Sequence, residues 1–251
     1  MGICKLTGRQ GKFVKSHIIP RALTRPTKLG NKFIQPALSI DKRYIKRADS
    51  WYDKTIVIRE GEDYLSDIDS HAIEELRALG LLWSSDKIRQ PATKSISELA
   101  IVEFNDPTKI RIFFLSLLWR AAVSSLPEFK EIELTLNDIE RLRKIIIREV
   151  DDQLSFFPVI LIQLPIKGPT HNFASIKQQV QVGTNKREVY RFYMDGLIAH
   201  IHLSNPNLAI LKNPVPCNHP MFVGNKQTIV IQVETEHSFQ INNLEKLIIG
   251  Y

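Results

Sequence analysis

The chain of 251 residues is 43% hydrophobic and 24% charged, with 11 Gly and 13 Pro; this is enough apolar material for a packed core and leaves no sign of extended disorder or low complexity. A formal net charge of +7 with only two cysteines, Cys4 and Cys217, excludes a disulfide framework and any complete cysteine-type zinc site within one chain. The longest strongly apolar run, 112–119, is bracketed by Arg111 and Arg120 and falls far short of the ~20 residues of a membrane span; with no apolar leader at the start, a soluble, cytoplasmic protein is expected.

The charge is unevenly placed. Residues 1–50 hold twelve Lys and Arg against Asp41 and Asp49, a net of +10, whereas the other 201 residues hold 22 basic and 25 acidic side chains, a net of −3. A block of this kind suits a phosphate backbone, because each cation that neutralises a phosphate releases a condensed counterion. A merely solvated basic surface is the plainer alternative.

Along the chain, Gly8 and Gly11 predict a turn leading into a strand over 12–19, which Pro20 stops. The stretch 25–50, with Pro26, Gly30, Asn31 and Pro36, reads mainly as loop. A second strand is expected over 54–59, and Glu62 opens a helix reaching about Leu82. Residues 108–125 read as a thick apolar helix buried on most sides. Asn137, with Glu140 three residues on, is a candidate N-cap for a helix to Val150 whose Ile139, Leu142, Ile145 and Ile146 fall at core spacing. After Asp152 the pattern turns to strands, over 157–163, over 189–202 interrupted by the hairpin pair Asp195-Gly196, and over 227–235. The expected class is α+β: a module at 1–83, central helices at about 90–150, and a mainly antiparallel sheet at about 151–251, with 84–251 as one unit.

Two strings carry a resemblance. Ser16-His17-Ile18-Ile19-Pro20, preceded by Cys4 and Gly8 and followed by Trp51-Tyr52-Asp53 and a helix opening at Glu62-Asp63, resembles the HNH endonuclease family, in particular bacterial HNH-like proteins with an S-H-I-I-P motif. Phe114-Leu115-Ser116-Leu117-Leu118-Trp119-Arg120-Ala121 resembles a downstream stretch of the same branch, so the likeness runs over roughly residues 4–150.

The resemblance implies a ββα-metal module acting on nucleic acid, DNA in the first place. In it His17 would be the general base, while Asp53 and Glu62 would complete the catalytic triad and ligate Mg²⁺ or Mn²⁺. Lys12, Lys15, Arg21 and Arg25 would grip phosphates, and antiviral defence in a bacterial cell would be the setting. The same module also allows a catalytically degenerate nucleic-acid-binding or assembly subunit, with a protein partner in a defence complex. A third option is a structural partner protein that uses its C-terminal sheet as an interaction surface and its basic segment against an acidic protein. Of the four cysteines that hold a structural zinc in the family only Cys4 remains, the others falling on Thr7, Ile58 and Gly61, so no structural zinc is expected. Ser16 stands where many members carry a metal-binding Asp. His200 and His202 share one strand face, with a packed or exposed face as the default reading and a metal pair as the minor one.

Overall fold

The computed structural model describes residues 1–24, 33–36, 44–47, 49–88, 99–168, 171–182, 185–203, 218–234, 238, 240–242 and 245. Its class is mixed α+β. Two-residue strands β1 (Gly2–Ile3) and β2 (Gln10–Gly11) pair antiparallel, and β3 (Ser16–His17) pairs with β6 (Tyr52–Asp53) in the register Ser16↔Asp53 and His17↔Tyr52. Between them β4 (Phe33–Pro36) and β5 (Tyr44–Arg47) form a hairpin inside the stretch expected to be loop. The strand over 12–19 thus shrinks to two residues. Ile18 and Ile19, fully buried, go instead into the core, and a 3₁₀ turn over Arg21–Leu23 follows Pro20.

Helix α1 (Arg59–Ala78) starts three residues ahead of the expected position, because Ile58 is already an extended N-cap. Glu60 and Glu62 then sit in the first turn, where the helix dipole favours carboxylates. Helix α2 (Pro107–Val123) has Asp106 as its cap, accepting from the Lys109 backbone N–H at 2.9 Å, with proline at the first position. Helix α3 (Leu136–Ile146) is capped by Thr135 rather than Asn137: its Oγ1 accepts the Asp138 N–H at 3.1 Å and donates to the Asp138 carboxylate at 2.7 Å. A Thr-x-x-Asp pair two residues upstream wins over Asn-x-x-Glu because it is reciprocal.

Six strands form the large sheet in the order β7 (Leu99–Glu103), β12 (Gln227–Gln232), β8 (Val159–Gln163), β11 (Leu197–His202), β10 (Asn185–Met194) and β9 (Ile176–Val182). All neighbours pair antiparallel except β12 and β8, which are parallel, so the sheet is mixed. The β10–β11 turn falls at Asp195-Gly196 as expected; φ values of 48° and 82° are those of a type I′ turn, and a Cβ on Gly196 would stand 2.3 Å from the Trp83 ring. One continuous core runs from Leu6 and Ile18 through α1 and α2 to Phe192, Ala199 and Val230. Among the described residues no helix is long and apolar enough to cross a membrane.

Over residues 110–121 helix α2 is buried around its whole circumference, both arginines included: Arg111 and Arg120 are 1% and 2% exposed. Arg111 pairs with Asp152 and donates to the Phe157 carbonyl at 3.3 Å. Arg120 makes a two-pronged bond to Asp69 of α1 at 2.6 and 2.9 Å, donates to Ser116 Oγ at 2.9 Å, and reaches the His17 carbonyl at 3.1 Å. Ser116 and Arg120 both belong to the second family-like string. Removing one member of such a buried pair strands the other charge, so Asp69→Ala and Arg120→Ala are each expected to cost about 3–5 kcal/mol in denaturant unfolding. The Asp69→Leu/Arg120→Met double variant is expected to lose less than the sum of the two.

Candidate functional site

His17 stands at the end of β3. Because the β3–β6 ribbon alternates its faces, Ser16 and Asp53 point inward (0% and 3% exposed) while His17 and Tyr52 point outward. The outward pair packs edge to face, with ring centroids 6.0 Å apart. The Lys15 ammonium lies 4.0 Å from the centre of the Tyr52 ring, and that of Lys54 5.8 Å.

Asp49 organises this face. Its Oδ1 is 2.9 Å from His17 Nε2 and 3.6 Å from Arg21 Nε, and its Oδ2 takes an ion pair from Lys15. Burial would raise the Asp49 pKa, but the hydrogen bonds and charges of Lys15 and His17 outweigh that and lower it to about 2. The carboxylate is therefore ionised throughout the neutral range. With Nε2 held by Asp49, Nδ1 is the ring nitrogen left without that contact. From behind, Arg120 fixes the His17 carbonyl. The imidazole, the carboxylate that holds it and two cationic side chains thus share one surface.

Asp49 was not among the residues singled out from the sequence, although one of only two acids within a block of twelve bases is a signal. Tyr52 and the Asp69–Arg120 pair were likewise unassigned, since pairing and burial bring them to the site.

The structure does not bring Asp53 to His17. On the opposite face of the ribbon, its Oδ1 accepts from the Thr55 N–H at 2.8 Å and the Thr55 hydroxyl at 2.6 Å, and its Oδ2 from Ser124 Oγ, Ser125 N–H and Ser125 Oγ at 3.0, 2.9 and 3.2 Å. The carboxylate ties β6 to the end of α2. Glu62 lies half-buried on the first turn of α1, with Oε2 enclosed and without a hydrogen-bond partner. Lys12 is exposed beside the ribbon, and Arg25 lies outside the described residues.

For the metals the resemblance implies, the donor set does not fit. With Asp53 committed to five hydrogen bonds, Glu62 is the single candidate left, and no group of three or more His, Cys, Asp or Glu among the described residues could hold an ion. The zinc positions are packed instead. A Cβ on Gly61 would stand 2.9 Å from Cys4 Sγ, the Thr7 N–H donates to that sulfur at 3.5 Å, and Ile58 bridges to Phe13 and packs on Gly11. Side chains fill the place where a metal clip would tie the β1–β2 turn to the start of α1.

His200 and His202, both on β11, are buried, and burial lowers their pKa values to about 3 and about 4. They sit on the face of the sheet remote from α2, far in sequence and topology from His17. No family model, curated protein or solved structure matches the chain.

Burial alone would raise the Asp53 pKa, but the bonds from Thr55, Ser125 and Ser124 bring it down from 3.8 to about 2. A carboxylate whose folded pKa lies below its unfolded one stabilises the fold above pH 4, and that contribution disappears as the pH falls toward 2. Asp53→Ala is expected to lose about 2–4 kcal/mol at pH 7, leaving buried donors unpaired. Measured by denaturant unfolding, the gap between wild type and variant should close as the pH falls from 4 to 2.

Proposed function

We propose that this protein is an HNH-like endonuclease in which the His17 face of the β3–β6 ribbon engages a nucleic-acid phosphodiester. The observation that carries the reading is the His17–Asp49 pair, set between Lys15 and Arg21 at the rim of a segment with a net charge of +10. Lys15 and Arg21 contact phosphate oxygens. His17, its ring held at Nε2 by Asp49, accepts the proton of the attacking water at Nδ1. Tyr52 offers a flat ring beside the histidine on which a sugar or base can rest. The order strand, strand, helix, with Cys4, Thr7, Ile58 and Gly61 gathered where β1–β2 meets α1, supports descent from a ββα-metal module that replaced its zinc with packing. Defence against foreign DNA is the setting this ancestry suggests, with a protein partner as a further component.

A second reading, a binding or assembly subunit that no longer cleaves, is favoured by the inward commitment of Asp53, which leaves the triad of the family without its middle member. One experiment separates the two. Purified protein, assayed with and without Mg²⁺ or Mn²⁺, is expected to nick supercoiled plasmid, His17→Ala to abolish nicking, and Asp49→Asn to slow it about 10–100-fold through loss of ring orientation. Both variants should still bind. Intact plasmid under every metal condition, with binding retained, selects the second reading. Absence of binding at low salt removes both. In either case Lys15→Ala and Arg21→Ala should each reduce the slope of log K against log [salt] by about 0.9.

A further inference from the structure

The remote face of the large sheet carries a charge that the rest of the fold does not explain. Along β10 the residues alternate: Tyr190, Phe192 and Met194 join the main core with α2, while Arg191 points to the other side. Arg191 stands directly opposite His200 on β11, and two rungs along the ladder, on the same face, His202 stands opposite Val189. Partners in register on one face bring their Cβ atoms to about 5 Å, within reach of one another's side chains. Arg191, His200 and His202 are 3%, 8% and 2% exposed.

Among the described residues, each of these groups has a donor atom that meets no protein acceptor. Arg191 Nη2, His200 Nε2 and His202 Nε2 are all enclosed without a hydrogen-bond partner, and no carboxylate among the described residues pairs with Arg191. Elsewhere in this chain a buried arginine is handled quite differently, since Arg111 and Arg120 each meet an aspartate. A guanidinium keeps its proton under all ordinary conditions, so burial without a counter-charge is strongly unfavourable. Two imidazoles beside it cannot supply that charge, but each can donate an N–H. The arrangement is a fork of donors plus two single donors on one face of two adjacent strands, with a net positive charge and, among the described residues, no acid paired with it.

We propose that Arg191, His200 and His202 form a binding site for the phosphoryl group of a small ligand on the sheet face remote from α2. A tetrahedral oxyanion matches the set better than a planar carboxylate, because it offers separate oxygens to the guanidinium fork and to two imidazoles from the next strand. Gln178 on β9, paired with Val189 on the rung that also holds His202, adds an amide on the same face; its Oε1 is enclosed and has no partner among the described residues. The site is independent of the His17 surface and of the function proposed for it.

The test uses the full chain and inorganic phosphate. At constant ionic strength, about 10 mM phosphate is expected to raise the Tm, and acetate to leave it unchanged. The imidazole nitrogen resonances of His200 and His202 should move with phosphate at neutral pH. Arg191→Met should stay folded, since it removes an unpaired charge, and lose the phosphate response at least tenfold in apparent affinity, whereas Lys15→Ala, at the other phosphate-attracting surface, should keep it. His200→Gln provides a second, milder variant with a weakened response. The proposal is overturned if phosphate moves neither the Tm nor the two histidine resonances. It is equally overturned if Arg191→Met responds like the wild type, or if acetate matches phosphate.

Discussion

The guanidinium of Arg120 is the junction on which the N-terminal half depends. A buried arginine must place five N–H donors, and this one finds them acceptors on three different elements: Asp69 on α1, Ser116 on its own helix and the carbonyl of His17 on β3. Planarity of the fork makes the geometry mutually exclusive with most alternatives, so the three elements are fixed together rather than merely packed. The strand that carries His17 is only two residues long and could not hold that side chain in place by ladder hydrogen bonds alone.

From that anchorage follows the division of labour across the β3–β6 ribbon. The period-two alternation of a strand makes adjacent residues serve opposite purposes. Inward, Ser16 and Asp53 face the protein, and Asp53 clamps the end of α2. Outward, His17 and Tyr52 meet solvent, with Asp49 arriving from just before β6 to hold the ring and balance Lys15 and Arg21. A carboxylate adjacent in sequence to the tyrosine is thereby removed from the site, and one three residues before that tyrosine is brought into it. The packing of Cys4, Gly61 and Ile58 has a similar logic: a small residue admits a sulfur, and an isoleucine fills the space beside it, closing the β1–β2 turn onto α1 by side-chain contact.

The three buried arginines of the described chain divide into two that are neutralised and one that is not. Arg111 and Arg120 project from opposite ends of α2 and lock it to the segments on either side. Arg191 sits on the far face of the sheet with two histidines and no acid. Low local dielectric makes this contrast severe, because the same burial that strengthens a paired charge penalises an unpaired one.

Much of the architecture was legible in the amino-acid order. Helix α2 showed itself as an unbroken apolar run, the β10–β11 hairpin through Asp-Gly between alternating strands, and the basic character of the first fifty residues through simple counting. The two edge strands of the large sheet, β7 and β9, were not legible; strand β9, with lysine and three glutamines among its seven residues, has little hydrophobic pattern and is defined by pairing with β10. Nor could local sequence decide that Thr135 caps α3, since two capping pairs competed. For the site, sequence determined that His17 lies in a basic setting three residues before a proline. Tertiary structure alone decided which acid serves it, because strand register sends Asp53 inward and the chain's return brings Asp49 to the ring. Periodicity along one segment is a local property of the sequence, whereas the partner of a charge depends on contacts between segments far apart in the chain.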